Sequence, residues 1–587
     1  MAANLVSPSH VASESDQQPF NLGVYYQEQH RAAFRAALEA GEVRPLVIPW
    51  SFVGSFFLPL LYLSIPHVNR PWLYHMRWLV AAAVIYLNVR LLQTTSAINE
   101  AVAYATGLLA AWGTINALRL LIFTRPQWDA ARVERRPRRP GVGLKEGMEK
   151  QTAMVSPDES VGTSLAHSEY FWQPFPATGS LLARLGWTAD LITAFRGAGW
   201  NCSISSIPHP PFPPKKALEG EPVRLDLVPL ASRTGTARSS TYASFLRSRL
   251  LEFSLSYLTI DLLTTTIRRD PYFVLGPDYR LHSYPLPAFY SRLPFPQLTI
   301  SFLLRSLPAL AGIIAGLHLY YSFLQLTIVF PLRSLFGVRA ELWQHPSLFG
   351  GFVPSVLDRG LAGFWGGWWH QTFRAGFVAP ARWFLRQHGH VHHHHHHHNH
   401  RHHNQSHTSI RENKTARMLF KSFLAFTLSG LVHSAGGHTS VPKTTRFWTP
   451  IVFFVLQPVG IILQAAAASL AKHLASSVLT RSAVTAAASH SHSHGDGAPK
   501  KRIPRWLCRT ANLLFTTLWL HLTAWGLIDD MSRAGVWLFE PVPVSPFRMM
   551  GLGAPGNTAW WRWDGVGYGL GWYTGRGGRW WESGVTL

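Results

Sequence analysis

The stretch SLPALAGIIAGLHLYYSFLQLTIVF at residues 306–330 decides the fold class, because it contains no Asp, Glu, Lys or Arg. A transmembrane helix needs about 20 consecutive, mostly apolar residues. The stretch therefore predicts a helix that crosses a membrane. Further apolar runs lie at residues 46–65, 78–93, 101–123, 245–267, 361–384, 418–437, 447–471 and 510–528. We therefore predict an all-α, polytopic transmembrane helical bundle of about eight to nine spans.

The composition agrees with a membrane protein that has sizeable polar loops. Of the 587 residues, 47% are hydrophobic and only 14% are charged, whereas about 25% is usual for soluble domains. The net charge of +24 accompanies no nucleic-acid-binding pattern, so we expect the lipid bilayer and not nucleic acid as the partner. The Arg cluster 132–139 follows the third span and predicts a cytosolic loop. Two cysteines, Cys202 and Cys508, cannot form a disulfide framework.

Composition also predicts six parts of the chain, because stretches rich in Pro, Arg and Ser between apolar runs indicate loops. The parts are a disordered polar N-terminus (1–40), N-terminal transmembrane helices (41–125), a polar loop region (126–240), a helical core (241–480), a basic, His-containing linker (481–505), and a C-terminal transmembrane helix with a Trp- and Gly-rich tail (506–587).

A histidine tract, HGHVHHHHHHHNHRHHNQSH at residues 388–407, interrupts the core and holds nearly half of the 30 histidines. One hypothesis is a metal transporter that uses this loop, and the other is a low-complexity loop that binds metal only weakly. A transporter also needs ligands inside the membrane, typically as pairs at i and i+4 on one helix face. His318 and His521 have no His or acidic neighbour at that spacing. The pattern favours the second hypothesis and predicts no defined metal site.

Two apolar runs end on a histidine, which is the unusual feature of this chain. GFWGGWWHQTFR (363–374) contains His370, and FTLSGLVHSAGG (426–437) contains His433. An ionisable residue in a membrane span indicates a functional site. One helical turn before each histidine, and one turn after His433, lie only small residues, which predicts a hollow beside each imidazole, although close helix packing is the alternative explanation. These small residues are Gly366, Gly367, Ser429, Gly430, Gly436 and Gly437.

The surroundings of His370 indicate a shared reaction chamber in the centre of the bundle. Trp365, Trp368 and Trp369 are rigid apolar walls, and Arg374 could hold a phosphate or a carboxylate. Histidine is the usual general base, and in a pocket with little water it could take the proton of an alcohol. No G-x-S-x-G, Walker or Rossmann glycine pattern occurs in the chain.

Four stretches resemble segments of the wax synthase-like membrane-bound O-acyltransferases, especially of their fungal branch. Together they cover residues 340–440 and an island near 196–215. One departure is that Gly367 and Trp368 stand where family members usually have Arg after the glycine of FWG. The four stretches are FRGAGWN (195–201), ELWQHPSLFGG (341–351), FWGGWWHQTFR (364–374) and FTLSGLVHS (426–434).

The resemblance implies an MBOAT-like fold and an acyl-CoA:alcohol O-acyltransferase. His433 matches the position of the catalytic general base, and His370 matches a second active-site position. Acyl-CoA would be the cosubstrate, a hydrophobic alcohol the acceptor, and neither a cofactor nor a metal would be needed. Residues that the resemblance or the sequence pattern assigns to substrate binding are Trp365, Trp369, Arg374, Asn201, Arg196 and Ser429.

The resemblance also suggests substrates and a location. Fungal relatives often acetylate terpenoid or polyketide alcohols, so a short acyl group is the first expectation and a long-chain wax ester synthase is the alternative. A non-catalytic membrane scaffold is a third possibility, because the Arg of the FWG stretch is missing. The expected location is the endoplasmic reticulum, as an integral, multi-pass membrane protein.

Overall fold

A computed structural model describes residues 21–137, 168–276, 297–393, 406–488, 504–563, 571–575 and 578–586. Only the backbone is described for residues 137, 168–169, 297–304, 387–393, 406–413 and 475–488. The side chains of the histidine tract 388–407 therefore lie outside the described part of the chain.

The described chain is mostly helical. In its N-terminal half the α-helices are α1 (Leu22–Glu39), α2 (Leu58–Ser64), α3 (Pro71–His75), α4 (Arg77–Thr94), α5 (Glu100–Leu118), α6 (Pro126–Asp129), α7 (Leu181–Thr193), α8 (Tyr242–Ile267) and α9 (Pro271–Leu275). In its C-terminal half they are α10 (Gln297–Val329), α11 (Arg333–Phe336), α12 (Asp358–Gly363), α13 (Arg374–His393), α14 (Ser406–His438), α15 (Trp448–Ala488), α16 (Arg505–Thr523), α17 (Trp525–Arg533) and α18 (Pro546–Met549).

Short helical turns of other kinds join these helices. The 3-10 turns are Trp50–Phe52, Leu225–Leu227, Gly337–Ala340, Leu342–Gln344, Val536–Leu538 and Trp580–Glu582. The π-helical turns are Val53–Phe57, Arg119–Phe123, Val353–Leu357 and Phe364–Trp368.

The strands are short and form three small sheets. They are β1 (Arg44–Pro45), β2 (Val47–Ile48), β3 (Thr95–Ser96), β4 (Ala131–Pro137), β5 (Ser168–Pro174), β6 (Gly571–Tyr573) and β7 (Gly584–Thr586). β1 pairs with β3 in parallel, β4 pairs with β5 antiparallel from Ala131↔Pro174 to Pro137↔Ser168, and β7 lies antiparallel between β2 and β6.

The polytopic helical fold predicted from the sequence is confirmed. Among the described residues, six helical segments are long and apolar enough to cross a membrane, and the pair α16–α17, bent by 41°, can make a seventh. The predicted span 46–65 contains only the shorter apolar helix Trp50–Ser64, and the predicted span 361–384 is broken. The six are Pro71–Thr94, Glu100–Phe123, Tyr242–Ile267, Arg305–Val329, Lys414–His438 and Trp448–Leu474.

Capping side chains fix where two of these spans begin. Asn99 accepts a hydrogen bond from the backbone N of Val102 (3.1 Å) at the start of α5. Thr241 does the same for Ser244 (3.2 Å) at the start of α8. Each bond satisfies one of the backbone donors that the first turn of a helix leaves open.

One end of the bundle carries a polar layer that we call the cap, formed by β4, β5, α7 and residues 194–241. The sequence predicts only a loop region over 126–240, but the structure has a strand pair and a 13-residue helix there. Four charged side chains form a closed ring of ion pairs with N–O distances of 2.6–3.1 Å. Their members come from β4, α7 and the turn Gly337–Ala340: Arg132, Glu134, Asp190 and Arg339.

The opposite end of the bundle is closed by both termini. The Trp50 indole donates to the carbonyl of Ser583 (2.8 Å), which ties β2, β6 and β7 to the first apolar helix. Helix α1 also lies at this end, where His30 contacts the carbonyl of Val441 (3.3 Å). The prediction of disorder for 1–40 is therefore wrong for Leu22–Glu39, because this segment is helical and packs against the bundle. Residues 1–20 lie outside the described part.

Candidate active site

In the part of the chain that the structure describes, one large cavity is lined by residues from the cap to the opposite end of the bundle. Its volume is about 3100 Å³, and its wall is mostly apolar. At the cap end it is lined by Arg132 and Arg339, and at the opposite end by Trp537 and Trp563. Both His370 and His433 lie on this wall.

His370 lies in a loop and not in a span, because the helix breaks just before it. The π-helical turn Phe364–Trp368 ends where Trp369 becomes extended (φ −59°, ψ 146°). The side-chain amide of Gln371 holds this turn by donating to the carbonyls of Trp365 (2.9 Å) and Trp369 (2.6 Å). Non-helical backbone at membrane depth is tolerated where it is buried in protein or lines a cavity. The break therefore places the imidazole on the cavity wall.

Aromatic rings surround the His370 imidazole. Its ring centroid is 5.3 Å from that of Trp369, 5.8 Å from Phe373 and 6.4 Å from Phe349. No described carboxylate forms an ion pair with this ring, so the surroundings favour the neutral imidazole, which can act as a base or as a donor.

His433 lies on α14, where its ring stacks on Phe454 at 4.9 Å and 16°. In the described part of the chain its Nδ1 is buried and has no hydrogen-bond partner. Both histidines keep some exposed surface, and both line the same cavity.

The glycines beside the two histidines do not form the predicted hollows, with one exception. A Cβ on Gly430 would lie 2.7 Å from Cα of Ile451, one on Gly436 2.9 Å from the Tyr104 ring, and one on Gly437 2.5 Å from Oδ2 of Asp530. A Cβ on Gly367 would lie 2.6 Å from Oγ of Ser355. Only Gly366 faces open space, with its nearest atom 3.9 Å away.

The alternative explanation therefore holds for most of these positions, because the small residues let helices and loops touch. The open volume beside the histidines is instead formed by the break before His370 and by the gap between the surrounding spans. Ser429, one turn before His433, lies on the cavity wall.

Trp365 and Trp369 lie on the cavity wall beside the histidines. The Trp365 indole donates to Oε1 of Gln457 (3.1 Å), which fixes the orientation of its ring. This ring contacts Phe426, at a centroid distance of 5.5 Å, and Phe454, at 5.9 Å. The Phe454 ring thus contacts both His433 and Trp365.

Arg374 belongs to a group of four cations on the cavity wall: Arg359, Arg374, Arg382 and Lys421. The Arg374 guanidinium donates to the carbonyl of Gly366 (3.0 Å) and to Oε1 of Gln371 (2.9 Å). No described carboxylate forms an ion pair with these four side chains, since the nearby Asp358 pairs with Arg505 and Arg509. The group therefore presents uncompensated positive charge to the cavity.

Arg196 and Asn201 are placed differently by the cap. Arg196 lies on the cavity wall, but its guanidinium donates to the carbonyls of Ser347 (2.7 Å) and Pro346 (3.1 Å) and to the Tyr321 hydroxyl. Asn201 is not among the residues that line the cavity. Its Oδ1 accepts a hydrogen bond from the backbone N of Ala131, and its Nδ2 donates to the carbonyls of Asp129 and Pro214. Both side chains thus hold the cap together.

Sequence patterns missed two features of the polar surroundings. Arg359, Arg382 and Lys421 come from three different helices, so no local motif contains them. His318 does have an acidic neighbour, but it is Glu252 on α8, with 3.7 Å between Nδ1 and Oε2. Arg249 holds the same carboxylate at 2.6 Å. Only a knowledge of which spans are adjacent could have revealed this cluster.

Comparison with known families gives one match. Residues 345–456 match the model of the membrane bound O-acyl transferase family. The matched segment contains both histidines and Trp365, Trp369, Arg374 and Ser429, whereas Arg196 and Asn201 lie outside it. No curated protein and no solved structure matches the chain. The match and the apolar helices support an integral membrane protein of the membrane-bound O-acyltransferase superfamily.

Proposed function

We propose that the protein transfers an acyl group from acyl-CoA to the hydroxyl group of a hydrophobic small molecule. The observation that carries this proposal is the presence of two imidazoles, both from the family-matched segment, on the wall of one large apolar cavity. A cavity inside a membrane bundle can receive an apolar alcohol and exclude most of the water that would otherwise hydrolyse a thioester.

His433 is the general base of the proposed reaction. Its neutral imidazole takes the hydroxyl proton of the acceptor while the oxygen attacks the thioester carbonyl. The tetrahedral intermediate then collapses, the C–S bond breaks, and the proton passes to the departing thiolate. The products are an ester and CoA-SH, so protons and electrons balance without a further reactant.

His370 stabilises the charge that develops on the carbonyl oxygen, or orients one of the reactants. As a neutral imidazole it can donate one N–H to an oxyanion. A donor of this kind contributes about 3 kcal/mol of transition-state stabilisation in enzymes that have one. The aromatic rings around it keep the ring fixed and the surroundings dry.

The group of four cations supports acyl-CoA as the donor. CoA carries phosphate groups, and Arg is well suited to bind phosphate because its planar guanidinium presents several donors. Arg374 connects this group to the reaction centre, since it bonds to Gly366 and Gln371 in the turn that carries His370. We infer that the phosphates bind near these side chains while the thioester reaches the histidines.

The acyl group of the proposed reaction has two candidate lengths, a short one and a long one. The sequence resemblance favours acetyl or another short acyl group and a terpenoid or polyketide acceptor, in a protein of the endoplasmic reticulum. The cavity volume of about 3100 Å³ favours a long-chain wax ester synthase as the second candidate, since sites for small ligands usually measure about 300–1,000 Å³.

The test is expression in a host that lacks such activity, with acetyl-CoA and palmitoyl-CoA as donors and farnesol and 1-hexadecanol as acceptors. Mass spectrometry detects the esters. We expect wild-type protein to form ester and His433→Ala to lose at least about a hundredfold of that activity, the lower end of general-base catalysis.

The matched control is His438→Ala, because His438 lies on the same helix, is exposed and does not line the cavity. It should keep wild-type activity. Full turnover by folded His433→Ala protein would refute the assignment of the base, and the absence of any ester from wild-type protein with every pair would count against the proposed reaction.

A further inference from the structure

A small cavity lies apart from the large one, among the N-terminal helices of the described chain. It is lined by residues of α2, α3, α4 and α6 and of the turns between these elements. Its volume is about 10 Å³, which is about the room that one water-sized oxygen atom needs. None of its lining residues lines the large cavity. The small cavity is therefore separate from the histidine site.

Three polar atoms of residues that line the small cavity are buried without a hydrogen-bond partner in the described part of the chain. They are Nε2 of His67 and Nε and Nη1 of Arg77. Only 3% of His67 is exposed. Buried polar atoms are nearly always paired with protein or with an ordered ligand such as water. The three atoms therefore indicate a bound ligand that the described chain does not supply.

Hydrogen bonds to α6 fix the loop that carries His67. The backbone N of His67 donates to Oε1 of Gln127 (2.8 Å). The side-chain amide of Gln127 donates to the carbonyls of Leu63 (2.7 Å) and Ile65 (2.8 Å), just before the loop. The loop is thus held at both sides of the imidazole by one glutamine, and the position of His67 does not depend on a ligand.

The Arg77 guanidinium is held by stacking and not by a carboxylate. Its Cζ lies 3.7 Å from the centroid of the Tyr74 ring, and the Tyr74 ring contacts that of Trp128 at 4.8 Å. Among the described residues no carboxylate forms an ion pair with Arg77, and the nearby Asp129 pairs with Arg125. Stacking covers a face of the guanidinium and leaves the N–H groups at its edge for an anion.

The small cavity lies at the ends of two membrane-capable segments. Arg77 is six positions after the start of Pro71–Thr94, and Thr124 directly follows the end of Glu100–Phe123. At 1.5 Å per residue, Arg77 is about 9 Å from the end of its segment. A long arginine side chain near the end of a span reaches toward the interface. The level of the small cavity is therefore that of the lipid head groups.

Exposed apolar side chains surround Arg77. Trp72, Trp78 and Leu79 are 66%, 52% and 62% exposed, and the Trp78 ring centroid lies 5.6 Å from Cζ of Arg77. Exposed apolar surface of this kind marks membrane contact, and tryptophan is enriched at the membrane interface. A ligand with both an anionic group and apolar chains fits this combination, because the anion reaches Arg77 while the chains cover the apolar surface.

The small cavity is on the cap side of the bundle. Helix α6 leads directly into β4 of the cap, and the cap residue Asn201 donates to the carbonyl of Asp129 in α6 (2.8 Å). The Arg cluster 132–139 predicts that this side faces the cytosol. Anionic phospholipids are concentrated in the cytosolic leaflet, and basic pockets at transmembrane helices bind their head groups.

We propose that the small cavity binds the phosphate of an anionic phospholipid, whose acyl chains lie against Trp72 and Trp78. Arg77 donates to the phosphate from Nε and Nη1. His67 donates from Nε2 when its ring is protonated, and accepts there from a phosphate hydroxyl when its ring is neutral. The proposal is independent of the proposed acyl transfer, because the site shares no residue with the large cavity.

The test is native mass spectrometry of the full chain in detergent, which counts the lipid molecules bound per chain. The probe is dioctanoylphosphatidic acid. We expect Arg77→Gln and His67→Gln each to weaken the binding of one lipid molecule by at least about tenfold, since each variant loses a hydrogen bond to a charged group. Wild-type affinity in both folded variants would overturn the site. The use of two positions keeps the test decisive if one variant fails to fold.

The matched control is Arg70→Gln. Arg70 lies in the same loop region, but it is exposed and does not line the small cavity. The control removes the same charge as Arg77→Gln and should leave the affinity within about twofold of wild type. Equal weakening by Arg70→Gln and Arg77→Gln would show diffuse attraction to positive charge, and would overturn the site.

Inorganic phosphate, added as a competitor, separates a lipid from a free anion. Because the acyl chains contribute to binding, we expect a tenfold excess of inorganic phosphate to leave the bound lipid in place. Displacement of the lipid at equal concentration would identify a free anion as the ligand and contradict the lipid site. Binding of neither probe would leave a water molecule as the ligand, and would also overturn the proposal.

Discussion

Glycines at which the backbones of two helices touch determine how the helices pack around His433. Gly430 lets α14 approach α15, since a Cβ there would lie 2.7 Å from Cα of Ile451. Gly107 lets α5 approach α14, since a Cβ there would lie 1.9 Å from the carbonyl oxygen of Ala435. His433 is thus held on a helix that two neighbouring spans contact at backbone distance.

This packing predicts that an Ala substitution has different effects on stability at two glycines, Gly430 and Gly366. Gly430→Ala should destabilise the protein by about 1–3 kcal/mol, the usual cost of overpacking, because backbone atoms must move. Gly366→Ala should leave stability unchanged, since nothing lies within 3.9 Å of its Cβ position. The measurement is the melting temperature in detergent, and equal melting temperatures of the two variants would contradict the packing.

At the residue scale, the sequence pointed to histidines that do share the cavity, but it did not predict what forms the open space beside them. The two apolar runs that end on His370 and His433 indicated one chamber, and both side chains lie on one cavity wall. The glycine spacing alone could not reveal whether a small residue faces a void or a neighbouring helix. That depends on the packing partner, as Ile451 and Tyr104 show.

At the scale of elements, the predicted span 361–384 differs most from expectation. It is interrupted at Trp369 (φ −59°, ψ 146°), and just before it Gly360 has φ 60°, where the backbone N of Leu361 donates to Oε1 of Gln464 (2.8 Å). Gln464 thus satisfies backbone that a straight helix would have paired internally. Composition could not predict the break, because it depends on an amide from α15, about a hundred residues later.

The turn around His345 gives a prediction of pH dependence. His345 lies outside the spans, and its Nε2 contacts the carbonyl of Arg339 (2.8 Å). Burial lowers the pKa of His345 to about 4 from its usual 6.5. The unfolded chain therefore binds a proton more readily, so the free energy of unfolding falls as the pH drops from about 6.5 to 4.

We expect this loss to reach about 3 kcal/mol in the wild-type protein and to be smaller in His345→Gln. The measurement is the melting temperature of both proteins between pH 7.5 and 4.5. Parallel curves would show that His345 is not buried in its neutral form.

At the scale of the whole molecule, the two ends of the cavity have opposite character. The cap end carries the ring of ion pairs and the four uncompensated cations, and the other end carries tryptophans and prolines. The sequence predicted the helical bundle but not this polarity, because the lining comes from segments that are hundreds of residues apart.

In the sequence, the histidine tract runs from the last residues of α13 to the first residues of α14. These helices pack through Phe384 and Phe420, whose ring centroids are 5.5 Å apart. Cavity-lining residues on them end at Arg382 and resume at Thr415. Among the described residues, no group of three His, Cys, Asp or Glu could hold a metal ion.

Replacement of residues 388–407 by a Gly/Ser linker of equal length should therefore leave ester formation within about twofold of wild type, because the described cavity-lining residues of these two helices lie outside the tract. Loss of zinc binding, measured by equilibrium dialysis, would confirm that the tract was the weak metal site. A metal transporter predicts the reverse result, in which the replacement abolishes zinc uptake by cells and His433→Ala does not. Measuring ester formation and zinc uptake in the same pair of variants separates the two functions, because each hypothesis requires a different variant to be inactive.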